Sequence, residues 1–300
     1  MKGTSPGFSS MIPLMILLLL PAVMPCPAFS GDIETMLEKA ESGDPDSQVD
    51  LGNAYYFGKD IRQDHTEATK WWRKAAEQGV ASARFNLGNA YLHGKGVPQD
   101  YAEAVKWFHL AAEQGYASAQ FNLGNAYYFG KGIREDPSEA TKWWRKAAEQ
   151  GVVTAQFNLG LAYSRGRGVP QDYAEEAKWM RKAAEQGHAN AQFNLGVALA
   201  NGQGVPQDHA EAVDWWQKAA EQGLANAQFN LGVAYDNGRG VPQDYSLAYF
   251  WYSLPVSRST GKLNEDAAKL RDRVAKKLTP EQLSKAKQMT REWEAKHPRK

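Results

Sequence analysis

The pair Leu-Gly returns at Leu51-Gly52, Leu87-Gly88, Leu123-Gly124, Leu159-Gly160, Leu195-Gly196 and Leu231-Gly232, always 36 residues apart. Around each pair lies a version of Ala117-Ser118-Ala119-Gln120-Phe121-Asn122-Leu123-Gly124-Asn125-Ala126-Tyr127. A fixed period of this size marks an array of stacked units, each burying its apolar face against the next rather than around one centre.

Each unit reads as two helices. At the head of the first, Asp46, Ser82, Ser118, Thr154, Asn190 and Asn226 share one register. Each carries a short side-chain oxygen that can accept an orphan backbone N–H, so these six are the expected caps. Ala119, Leu123, Ala126 and Tyr127 then fall on one helical face. Gly124 and its equivalents sit mid-helix, where Gly is about 1 kcal/mol less favourable than Ala. Six such glycines at equal intervals are expected to let two helices approach closely. The helix stops at Gly130 or its equivalent, and a loop such as Gly94 to Asp100 follows.

The second helix opens on Asp64/Glu67, Asp100/Glu103, Asp136/Glu139, Asp172/Glu175 and Asp208/Glu211, pairs with the spacing of a capping box. Pro137 stands at a first helical position, where its missing N–H costs nothing. Ala68, Trp71, Trp72, Ala75 and Ala76 form the apolar stripe, and Gly79, Gly115, Gly151, Gly187 and Gly223 close the helices.

The first thirty residues stand apart. Met11 to Leu20 is almost wholly aliphatic, Pro21 and Pro25 break the run, and Ala28-Phe29-Ser30 offers small residues to a signal peptidase. The segment reads as a secretory signal cut between Ser30 and Gly31, which places the protein in the periplasm or outside the cell. Pro13 and the run's length argue against a membrane anchor, and Met24-Pro25 is a poor lipobox for Cys26. Without Lys2 the mature chain has 35 − 1 = 34 basic and 34 acidic residues. That balance gives no reason to expect nucleic acid or an anionic membrane as partner. Cys26, the only cysteine, leaves with the signal, so stability rests on packing.

Little in the chain points to catalysis. His65, His93, His109, His188, His209 and His297 form no i, i+4 pair and gather no carboxylates, so neither metal nor cofactor is expected. The Gly-x-Gly loops lack the following helix with a third glycine that a phosphate cradle needs. Glu77-Gln78 recurs as a ladder, which reads as a solvated helix end. Nine of the ten tryptophans fall on the Trp71/Trp72 register or its equivalents, which assigns them to the core rather than to a stacking platform.

The pattern running from Ala83 to Gly115, and again from Ala119 to Gly151, resembles the Sel1-like repeat, a relative of the tetratricopeptide repeat with a longer internal loop. The resemblance implies an all-α superhelical solenoid of six hairpins over residues 46–254, with first helices lining its concave side. Residues 31–45 match a second helix without its first and are expected to cap the front. Residues 255–300 are expected to cap the end, with helices from about Glu265 to Lys277 and from the box Thr279-Pro280-Glu281-Gln282 through Trp293. Asp60 replaces a loop glycine in the first copy and Leu199 replaces the tyrosine in the fifth.

Together with the signal segment and the absence of a catalytic constellation, the resemblance leads to the expectation of an exported, non-enzymatic scaffold, taken as a monomer, that binds a protein or peptide. Positions that vary between copies mark the expected groove: Asn53, Tyr56 and Phe57; Asn89, Leu92 and His93; Asn125, Tyr128 and Phe129; Leu161, Ser164 and Arg165; Val197, Ala200 and Asn201; Val233, Asp236 and Asn237. Their i, i+3, i+4 spacing sets them on one face, opposite the Leu123/Ala126/Tyr127 stripe. Asn53, Tyr56, Phe57, Asn89, Asn125, Tyr128, Phe129 and Arg165 are the expected contacts, with the apolar anchor in the N-terminal half. The alternative is an envelope protein acting on peptidoglycan or a β-lactam, since a cysteine-rich secreted branch of the family is associated with β-lactams. Ser284-Lys285-Ala286-Lys287 matches Ser-x-x-Lys, but neither its Ser-Asp-Asn nor its Lys-Thr-Gly companion is present.

Overall fold

The computed structural model describes residues 33–298, and among these it holds fifteen α-helices and no strand. Helix α1 (Ile33–Glu41) precedes six hairpins. These are α2–α3 (Pro45–Phe57, His65–Glu77), α4–α5 (Ala81–His93, Tyr101–Glu113), α6–α7 (Ala117–Phe129, Pro137–Glu149), α8–α9 (Val153–Arg165, Tyr173–Glu185), α10–α11 (Ala189–Asn201, His209–Glu221) and α12–α13 (Ala225–Asn237, Tyr245–Arg258). Helices α14 (Lys262–Ala275) and α15 (Pro280–Lys296) close the array. Through the repeats each helix packs on its neighbours in sequence, and the cap helices pack on α13. Residues 1–30, the expected signal, lie outside the described residues.

The caps of the first helices fall two residues before the expected ones. The N-cap positions are Asp44, Val80, Tyr116, Val152, His188 and Leu224. Only Asp44 and His188 accept a backbone N–H with their side chains. The preceding helix sets the start: Gly79 N–H donates to Ala76 O and Val80 N–H to Ala75 O, the two bonds of a Schellman end. Val80 therefore leaves that turn in extended geometry, and helix resumes at Ala81.

The expected capping boxes of the second helices are half formed. Asp64 accepts from Thr66 and Glu67 N–H, and the same pair of bonds recurs at Asp100, Asp136, Asp172 and Asp208. The reciprocal bond is absent because the Asp64 N–H already donates to Tyr55 O, at 2.9 Å, across the hairpin. Glu67 instead pairs with Lys70, and Glu211 accepts from the Trp215 indole. The box at Thr279 and Gln282 is complete.

The mid-helix glycines do admit the second helix. A Cβ built on Gly124 would lie 2.4 Å from Trp144 Cδ1, and one on Gly88 2.7 Å from Phe108. Gly52, Gly196 and Gly232 face Trp72, Trp216 and Tyr252 in the same way, while Gly160 faces the flexible end of Met180. Repeats are also joined by polar side chains. Gln120, Gln156 and Gln192 are buried and donate to the last turn of the preceding second helix, at Ala112, Ala148 and Ala184 O. Gln150, Gln186 and Gln222 in turn donate to those glutamines. The helix end read as merely solvated is thus bonded from repeat to repeat.

The last helix of the sixth repeat continues past Leu254. Helix α13 passes through Pro255 to Arg258, and hydroxyls of Ser253, Ser257 and Ser259 donate to carbonyls of its final turns.

Candidate binding groove on the first helices

The variable positions of the first helices do not form one uniformly open face. Phe57 and Phe129 are 53% and 46% exposed, and His93, Arg165, Asn201 and Asn237 are exposed beside them in register. The positions at Asn53, Asn89 and Asn125 are half-buried. Asn53 Oδ1 accepts from Trp72 Nε1 at 3.1 Å and from Asn86 Nδ2 at 3.2 Å. Asn89 accepts from Asn122 Nδ2, and Asn125 from Trp144 Nε1. These carbonyl oxygens thus hold adjacent helices together, which leaves the amide N–H groups as the part able to serve a partner.

The expected exposure of Tyr128 is corrected: it is 5% exposed. Its ring lies 4.8 Å from Trp144, carries the Arg167 guanidinium at 4.0 Å and packs on Ala140 and Ala162. Tyr56, half-buried, has its ring 5.2 Å from Trp72 and 4.8 Å from His65. These tyrosines fill the seam between the two helices of a hairpin, and Phe57 and Phe129 rest edge-on against them. Asp236, the equivalent in repeat 6, is also buried rather than presented. It pairs with Arg273 and Lys277 and accepts from the Tyr252 hydroxyl, fastening the terminal cap.

Between those ends the seam changes character. In repeat 4 the tyrosine is replaced by Ser164, and Glu176 stands where the other second helices carry Ala68, Ala104, Ala140, Ala212 and Ala248, all buried. Burial pushes the Glu176 carboxyl above its ordinary pKa, against the opposing pull of a hydrogen bond with Ser164 and the charge of Arg165. In repeat 5 the seam residue is Ala200. A cavity of about 180 Å³ opens there, lined by Val197, Ala200, His209, Trp216, Asn230 and Arg239 among others. Trp216 is the one tryptophan of the nine on second helices that is not buried. Sequence reading missed both features. The signal was available in the comparison of Ala140 with Glu176, a register treated as plain core.

The remaining chemical candidates stay apart. Ser284 and Lys287 are both exposed on α15. Lys287 lines a cavity with Arg271, Arg291 and Glu294, and Ser284 does not. Among the described residues no group of three or more His, Cys, Asp or Glu could hold a metal, and no helix is long and apolar enough to cross a membrane.

The Sel1 repeat family model matches residues 45–80, 81–116, 117–152, 153–188, 189–224 and 225–254. Among solved structures, a Sel1 repeat protein from Oxalobacter formigenes is 30% identical, with a TM-score of 0.64, over 76% of this chain and 99% of that one. A protective antigen present in uropathogenic Escherichia coli strains, displaying an SLR fold, is 28% identical over 88% of this chain and 79% of that one, with a TM-score of 0.40. No curated protein gives a significant match.

Proposed function

Because this chain belongs to the Sel1-repeat family, whose repeats generally mediate contacts between proteins, we propose that it is a non-catalytic scaffold holding a protein or peptide partner along its first helices. The observation that carries this reading is the contrast within those helices. Leu123, Gly124, Ala126 and their equivalents stay fixed, while the rim at Phe57, His93, Phe129, Arg165, Asn201 and Asn237 takes four residue types across the six copies. Phe57 and Phe129 remain exposed, and large apolar side chains left in water are typical anchors of interfaces.

Export of the scaffold is part of the proposal and is supported by the aliphatic run ending at Ala28-Phe29-Ser30. Outside the cytoplasm it works as a monomer, with partner specificity set by the rim. The test is crosslinking capture from envelope and secreted fractions, comparing the native chain with a Phe57→Ser/Phe129→Ser double variant. Loss of one enriched partner with helical content unchanged is the expected result. Undiminished capture by the double variant would move the binding surface elsewhere. Mass spectrometry of the native protein should place Gly31 at the N-terminus, and an intact Met1 would overturn export by cleavage.

A further inference from the structure

The six hairpins serve as internal controls for one another. At the seam between their two helices the chain places Tyr56, Leu92, Tyr128, Ser164, Ala200 and Asp236. Where the residue is tyrosine, the surroundings of its ring are on view. In repeat 1 the ring meets His65 at 4.8 Å and Trp72 at 5.2 Å. In repeat 3 it meets Trp144 at 4.8 Å and lies beneath the Arg167 guanidinium at 4.0 Å.

Repeat 5 reproduces these walls around a missing ring. His209 and Trp216 occupy the registers of His65 and Trp72, and Arg239 occupies the register of Arg167. All three line the cavity beside Ala200. Trp216 is only half-buried, because the ring that covers Trp144 is not supplied. Val197 and Val233 line the cavity where repeats 1 to 3 carry Asn53, Asn89 and Asn125, so its walls are more apolar than theirs. The Trp216 indole N–H is already satisfied by Phe193 O, at 3.3 Å. Arg167 is tied to Glu135 at 2.9 Å, whereas Gln207 takes that register in repeat 5 and leaves Arg239 without an ion-pair partner among the described residues.

Volume agrees with the chemistry. An engineered apolar cavity of about 150 Å³ accepts benzene, and this one measures about 180 Å³. A guanidinium held over a ring face adds a cation–π attraction, and offset packing on an indole adds an aromatic one. We propose that the cavity of repeat 5 receives one aromatic side chain, tyrosine or phenylalanine, from the partner. This rests on the partner-binding function above. The chain fills this seam with its own ring in repeats 1 and 3 and borrows a ring in repeat 5.

The probe is p-cresol, the side-chain analogue of tyrosine, titrated into the mature chain and followed by NMR of the Trp216 indole, assigned with Trp216→Phe. The expected result is one saturable site with Kd on the order of 1 mM, appropriate to so small a ligand. Ala200→Tyr should weaken it at least tenfold by filling the cavity from within. Tyr128→Ala should create a second site of similar affinity in repeat 3. If Ala200→Tyr disturbs folding by circular dichroism, Ala200→Leu, which copies Leu92 of repeat 2, takes its place. Absence of saturable binding, or binding that survives both fillings, overturns the proposal.

Partner capture separates this inference from the function it rests on. Loss of capture by Ala200→Tyr supports it. Capture kept by Ala200→Tyr but lost by Phe57→Ser/Phe129→Ser overturns the cavity's role and leaves the groove standing. Capture kept by both sets of variants removes the groove as well. A native chain that self-associates in sedimentation, and becomes monomeric as Ala200→Tyr, would identify a second copy as the occupant and overturn a foreign one.

Discussion

In repeat 3 the ring of Tyr128 lies against Trp144 and beneath Arg167, whereas in repeat 5 Trp216 and Arg239 line a cavity beside Ala200. The helices of the two repeats have the same length and register, and Gly124 and Gly196 each meet the indole of the second helix. The recess opens where Ala200 stands in place of the Tyr128 ring, on helices of equal length, and its walls differ further where Val197, Gln207 and His209 replace Asn125, Glu135 and Pro137. A repeat protein can vary such a position without disturbing its neighbours, because each hairpin contacts only the next. The same seam position contributes packing in one repeat and leaves a recess open in another.

The largest effect should follow from making repeat 3 resemble repeat 5. Tyr128→Ala removes a ring that is almost wholly buried, and large-to-small changes of this kind cost about 3 kcal/mol. Urea unfolding followed by circular dichroism should show that loss, which removing the exposed Phe129 ring should not match. If Tyr128→Ala and Phe129→Ala shift the midpoint equally, the contrast between filled seam and open rim fails.

A smaller effect tests whether the helix contact is as tight everywhere. A Cβ on Gly124 would stand 2.4 Å from the Trp144 ring and 3.1 Å from Ala140 O, so neither rigid neighbour can yield cheaply. Gly124→Ala should cost about 2 kcal/mol, as overpacking does. At Gly160 the nearest atom, 2.9 Å away, is the terminal methyl of Met180, which can rotate aside. The gain of about 1 kcal/mol in helix propensity offsets that adjustment, so Gly160→Ala should be nearly neutral. Equal midpoint shifts for the two would show that the second helix, not its side chain, sets the contact.

These six glycines show what the sequence disclosed and what it withheld. Their equal spacing announced the close approach of two helices, because the cost of Gly in mid-helix needs a reason. Which of them is most constrained depends on a partner twenty residues away, Trp144 for Gly124 and Met180 for Gly160. Helix starts were missed for a related reason. The expected caps at Ser82, Ser118 and Thr154 assumed a side-chain oxygen, but the Schellman turn of the preceding helix had already placed Val80, Tyr116 and Val152 there. At the groove, Phe57 and Phe129 were read as exposed and are so. Tyr128 shares their pattern yet is buried, because Arg167 from the following repeat covers its ring. A contact 39 residues away leaves no local trace in the periodicity.

Closing repeat 5 to resemble repeat 3 should stabilise. Ala200→Tyr offers a ring to walls that already match, and cavity filling of this kind yields about 1 kcal/mol. The expected result is a higher urea midpoint together with upfield-shifted ring protons, from stacking on Trp216. A destabilised variant would mean that the cavity of repeat 5 differs in shape from the seam around Tyr128.

The smallest expected effect lies between the two, in repeat 4, where the seam is polar rather than filled or empty. Glu176 replaces an alanine that is buried in every other repeat, and its carboxyl is held above the ordinary carboxylate pKa, chiefly by burial. The folded protein therefore binds this proton more readily than the unfolded chain does. Stability is lost as pH rises from below the unfolded-state pKa, about 4.3, through the raised folded value. Glu176→Gln removes the charge while keeping a side chain that can hydrogen-bond Ser164. At pH 7 it should stabilise by roughly 0.5 kcal/mol, and the difference should vanish below about pH 4, where both states of the native chain are protonated. Paired urea titrations at the two pH values measure this. A Gln variant no more stable than the native chain at pH 7 would mean that Arg165 and Ser164 compensate the carboxylate in full. Repeat 4 would then join repeat 3 as a satisfied seam, and repeat 5 would be the single place where the groove floor is left incomplete.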